Sequence, residues 1–249
     1  MNIALDHTSD VGFRTGQILL GDRRVSRIGL VGRTPSGSHQ GRVEEAGDLA
    51  DYDLVITDAA KPLEMIERAI KANTSCVLWI EADTSGYSPP AGTTLLTGAN
   101  LASGIAPCLA SHEVARAHEA VSVVVAWTEP GTALRTGEPL AFPDPVGGRW
   151  GRLHQHGDDT SFVAPIAGDW AGAVAKVTTN TNGSAVTRLV GVADLAPHVE
   201  ALALAAGALA VGIGAFEDGV TTASDAAAPY LAEALEAGLD VAAYTMDTA

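Results

Sequence analysis

Five short apolar runs within the first hundred residues constrain the fold most: residues 2–5, 27–31, 54–58, 76–80 and 93–97. Each is too short for a helix, and all but the Thr-rich run at 93–97 are apolar at most positions rather than alternately. Strands buried on both faces of a parallel sheet read this way. Between them lie helical periods. Val11, Thr15, Ile18 and Leu19 share one helix face, with Gly21 as the stop. After Pro62, which suits a first helical turn, Leu63, Ile66 and Ile70 form a second stripe, and a short helix is expected over 49–53. Strands alternating with helices predict an α/β fold built on a doubly wound parallel sheet.

The pattern changes after residue 98. A small-residue turn, Gly98-Ala99-Asn100, leads into a helix ending near Ala117. Residues 121–127 and 161–163 read as strands around a Gly- and Pro-rich stretch at 128–151. Residues 174–179 and 185–190 flank Asn182-Gly183, a dipeptide suited to the φ > 0 positions of a tight hairpin. A helix over 195–209 follows. Ser224 is expected to cap another, reaching Gly238 with Tyr230, Leu231 and Leu235 on one face, before a last strand at 240–244. The expected organisation is a Rossmann-like parallel unit at 1–118 and a mainly antiparallel α+β lobe at 119–249, whose C-terminal elements are free to pack back on the first.

Apolar residues are 47% of the 249, charged residues 18%, and Phe, Tyr and Trp number only four each, so the core must be aliphatic. The net charge of −15 argues against nucleic acid and anionic membranes as partners. Cys76 and Cys108 lie in apolar runs and read as buried thiols of a reducing compartment. The N-terminus has no basic, apolar leader pattern, and the apolar stretch at 201–214 is too short to span a bilayer. A cytoplasmic location is expected.

The turn from the first strand into the first helix reads Asp6-His7-Thr8-Ser9-Asp10-Val11-Gly12. In a dinucleotide-binding turn, G-x-G-x-x-G, the first glycine allows the tight turn and the second lets backbone approach a pyrophosphate at the helix N-terminus. Here those two positions are His7 and Ser9, and only Gly12 survives. His7, Thr8, Ser9 and Gly12 are the candidates for holding a pyrophosphate, with Asp10 adding a negative charge nearby. Beyond the second strand stand Arg33, Thr34 and Ser36, with no carboxylate to accept from a free ribose. That favours a 2′-phosphate, hence NADP, with NAD as the alternative; equally, Arg33 reads as one exposed arginine in a loop. Asp58 and Lys61 follow the third strand at its C-terminal end, where ligands of open α/β sheets bind, and Asp58 joins the candidate cofactor-binding residues.

Other chemistry is thin. His154 and His156, with Asp158 and Asp159 beyond, fall short of the three or four converging ligands a metal needs, and no metal site is expected. There is no G-x-S-x-G elbow and no P-loop. Asp144 joins Asp158 and Asp159 in loops that bring no two carboxylates into catalytic reach.

Taken together, residues 2–12, the strand 54–58, and the turn and helix from Gly98 through Pro107 resemble the saccharopine dehydrogenase-like and dihydrodipicolinate reductase-like oxidoreductases. The resemblance lies in the order of elements along nearly the whole chain rather than in a near-exact motif. It implies a nicotinamide cofactor across the strand C-termini and a small-molecule substrate between the lobes. Gly98 and Asn100 would line the substrate side, and Lys61 and His112 are the candidate catalytic residues. A homodimer is open, through an exposed face of the antiparallel sheet or the apolar helix at 201–211. Two functions follow: an NAD(P)-dependent oxidoreductase, or a non-catalytic binding or assembly protein of the same fold that has lost dinucleotide binding.

Overall fold

A computed structural model describes residues 1–35, 41–117, 120–127, 139–143, 150–155, 162–163, 170–181 and 184–248. The chain opens with β1 (Asn2–Asp6), α1 (Asp10–Gly21), β2 (Arg27–Leu30), β3 (Val43–Glu45), β4 (Leu54–Thr57), α2 (Leu63–Ala72), β5 (Ser75–Leu78) and β6 (Thr94–Thr97). One π-helical turn, Leu101–Ile105, runs into α3 (Ala106–Arg116). Then come β7 (Ala120–Trp127), β8 (Pro139–Pro143), β9 (Trp150–Gln155), β10 (Phe162–Val163), β11 (Trp170–Thr181) and β12 (Ser184–Leu195). The chain closes with α4 (Ala196–Gly212), β13 (Gly219–Thr222), α5 (Ala227–Glu236) and β14 (Ala242–Thr248).

The expected doubly wound sheet is present, with seven strands in the order β13-β6-β5-β4-β1-β2-β3, every neighbouring pair parallel. Successive residues of β1 feed opposite faces: Ile3 and Leu5 join the core beneath α1 and α4, and Ala4 joins the core beneath α2. Helix α4 is apolar all round because protein surrounds it; residues 201–210 are all buried. No helix among the described residues is long and apolar enough to cross a membrane. The antiparallel lobe has the order β14-β12-β11-β7, with β10-β9-β8 as a smaller sheet. Residues 182–183 lie outside the described residues, but Thr181 pairs with Ser184 across them, as a two-residue hairpin requires.

Several local expectations change. Strand β3 is a three-residue edge strand with two glutamates, so it carries no apolar run. Strand β13 is half threonine and is recruited as a parallel edge partner of β6, a tertiary event without a local signature. The buried stripe of α2 is Met65, Ile66 and Ala69, and Leu63 is exposed. The cap near 224 belongs to Thr222, which forms a reciprocal capping box with Asp225 at a 3-10 turn, and Leu235 on α5 is exposed.

Candidate functional site

Strands β1 and β4 are parallel neighbours with Asp6 opposite Thr57, so the residue after β4, Asp58, lies beside the turn between β1 and α1. Its side chain fills that turn. Oδ1 accepts from the Thr8 amide at 2.5 Å and the Thr8 hydroxyl at 2.9 Å. Oδ2 accepts from the Ser9 amide at 2.9 Å, the Ser9 hydroxyl at 2.6 Å and the Gly12 amide at 2.9 Å. Ser9 is the N-cap of α1, and its hydroxyl also accepts from the Val11 amide at 3.2 Å. The free amides of a helix start, where an anion is most welcome, are thus closed by a carboxylate from the neighbouring strand. Asp58 is 2% exposed. Burial opposes its charge, but the donors from Ser9 and Thr8 outweigh burial and hold its carboxyl below the usual range.

The same carboxylate explains the surviving glycine. A Cβ on Gly12 would lie 2.5 Å from Asp58 Oδ2 and 2.5 Å from the His7 Cβ. Gly12 is required whether or not any ligand approaches.

A second helix start at this end of the sheet is closed likewise. Glu200, on α4, accepts from the Leu101 amide at 3.0 Å and from Trp79 Nε1 at 2.9 Å, at the head of the π turn that opens α3. Burial pushes its carboxyl above the ordinary range against those two donors. Within the turn, Asn100 accepts from the Ser103 amide and donates to the Trp79 carbonyl, both at 2.8 Å. Gly98 has φ +70°, and a Cβ there would meet that of Ser103 at 2.8 Å. Both expected substrate contacts therefore hold the turn itself.

His7 and Arg33 come together: the guanidinium is close enough to help burial lower the imidazole pKa, against the raising pull of Asp58 and Asp6. Thr34 donates to Glu45 on β3 at 2.9 Å. Lys61, before α2, and His112, on α3, are both exposed, and among the described residues no hydrogen bond or ion pair joins either to the turn. Ser36, His156, Asp144, Asp158 and Asp159 lie outside the described residues, and of His154 only its place in β9 is described. Among the described residues no group of three His, Cys, Asp or Glu is arranged to hold a metal. Cys76 and Cys108 are buried, and burial pushes both thiols up to about 12, which leaves them unreactive. Sequence reasoning missed Glu200, whose only signal is one acid in the first turns of an apolar helix.

No protein-family profile matches the chain, and a comparison with curated proteins returns no match. Solved structures do match. The chain is similar to C. glutamicum DAP dehydrogenase in complex with DAP, at 14% identity over 93% of this chain and 95% of that one, TM-score 0.59. An engineered D-amino acid dehydrogenase matches at 11% identity over 92% and 95%, TM-score 0.56. Its NADP+-bound form matches at 15% over 93% and 95%, TM-score 0.54. These likenesses establish a shared fold, the two-lobed Rossmann architecture expected from the order of elements.

Such a fold raises the fit of a dinucleotide. At the turn between β1 and α1 the amides of Thr8, Ser9 and Gly12 are already engaged. With Asp58 in place those three amides are not free to donate to a pyrophosphate. Each unit of charge brought to about 4 Å from the carboxylate would cost ~4 kcal/mol at an effective dielectric of ~20.

Proposed function

We propose that this chain is a binding protein on a dehydrogenase scaffold, in which Asp58 takes the place of a dinucleotide's pyrophosphate. The observation that carries this reading is the set of five donors from Thr8, Ser9 and Gly12 converging on one carboxylate. Glu200 at the next helix start supports it, since two anion seats are filled from within.

An NADP-dependent oxidoreductase acting on a small metabolite is the second reading. It is favoured by the shared fold, by the NADP+ that one of those dehydrogenases holds, and by Arg33 and Thr34 beyond β2, where a 2′-phosphate is met. Were a dinucleotide bound, the phosphorylated form is the one these residues suit. Thermal unfolding with NADPH, with NADH and without ligand separates the readings. A ligand at ~100 times its dissociation constant adds about 2.7 kcal/mol. The first reading expects no shift with either; a clear shift with NADPH alone supports the second.

A further inference from the structure

Between α1 and the β2–β3 edge of the parallel sheet lies a cavity of about 270 Å³. Its origin is topological. Crossovers between parallel strands usually place a helix over the sheet, and among the described residues none lies between β2 and β3. The lining is apolar: Leu5 and Ile28, both buried, with the half-buried Leu30 and Val43 form the floor, and Ile28 and Val43 are in register across the two strands. Phe13 and Leu20, two turns apart on α1, form the wall. Phe13 is 54% exposed, an unusual position for a phenylalanine in a chain with four.

The mouth has the opposite character. His7 and Arg33 stand there, at the C-terminal ends of β1 and β2. Arg33 has no hydrogen bond or ion pair among the described residues, although the chain carries twice as many acidic as basic residues, 30 against 15. The imidazole of His7 lies against Phe13, with ring centroids 6.4 Å apart and planes tilted by 57°. An apolar chamber with an uncommitted guanidinium at its entrance is complementary to a molecule with an apolar body and one anionic end.

We infer that this cavity binds a small amphipathic carboxylate, its hydrocarbon on the Leu5–Ile28–Leu30–Val43 floor and its carboxylate paired with Arg33 beside His7. The lining sets the chemistry of the ligand, a short hydrocarbon body with one anionic end, for which octanoate serves as the probe. The inference rests on the reading above in one respect: Arg33 is free for a carboxylate only where no ribose phosphate claims it.

The test is calorimetric titration of the full chain with octanoate, with 1-octanol, with 2′,5′-ADP and with NADPH, repeated on Arg33→Gln. That substitution removes an exposed charge with no partner among the described residues, so it should not affect folding. Saturable one-to-one binding of octanoate is expected, with binding at least tenfold weaker for 1-octanol and for octanoate on the variant. No saturable octanoate binding, or equal binding by Arg33→Gln, overturns the inference. Should octanoate fail while NADPH also stays silent, only the inference falls. Tight binding of NADPH, or of 2′,5′-ADP in preference to octanoate, overturns both the inference and the proposed function.

Discussion

Removing the Asp58 carboxylate tests the central claim directly, because it should weaken the fold and create an anion site at once. In Asp58→Ala the two hydroxyls of Thr8 and Ser9 can rotate toward water. The three amides of Thr8, Ser9 and Gly12 cannot, and each loses its acceptor. At ~1 kcal/mol for each amide that exchanges the carboxylate for water, the variant should be less stable by about 3 kcal/mol. For a chain of 249 residues that is roughly 6–12 °C in Tm. The opened helix start then presents three amides with no competing charge, the arrangement that takes phosphate elsewhere. Pyrophosphate at ~100 times its dissociation constant should restore about 2.7 kcal/mol to the variant and nothing to the parent. Differential scanning calorimetry of both proteins, with and without pyrophosphate, reads the two effects together. A parent stabilised by pyrophosphate as strongly as the variant, or a variant that melts with the parent, would refute the reasoning.

Gly12→Ala should destabilise the parent by about 2 kcal/mol or more, as overpacking against Asp58 and His7 does. The penalty should shrink in the Asp58→Ala background, and a double-mutant cycle showing no coupling would contradict the contact. Glu200→Gln keeps an oxygen for the Leu101 amide and Trp79 while removing a buried charge. It should raise stability at neutral pH, and the gain should vanish below about 4.5, where the carboxyl is protonated in the unfolded chain as well. Asp58 works in the opposite direction, since its folded pKa is depressed. Its contribution is present above the ordinary aspartate value of 3.8 and is lost as pH falls through the lower folded value. Asp58→Asn should therefore flatten the acid limb of a stability–pH curve measured by denaturant unfolding.

The parallel strands were legible because burial on both faces leaves little choice of residue, as in residues 54–57, all buried. The antiparallel pairing of β11 with β12 was legible because the Asn-Gly between them in the sequence is a local signal. Strands β3 and β13 were not, since an edge strand of glutamates or threonines owes its place to its neighbour. The site divided along the same line. That Asp58 ends a strand could be read directly; that it reaches across to Thr8, Ser9 and Gly12 depends on β4 lying next to β1. Glu200 lies still further from view, being joined to Leu101 across 99 positions of chain.

The internal closure of α1 also bears on how the protein meets its solution. A helix start left open in a medium rich in phosphates collects whichever anion is abundant, and its occupancy drifts with the surroundings. A start sealed by a tethered carboxylate has an effective concentration that dilution cannot lower, so this end of the molecule is insulated from the phosphate level around it.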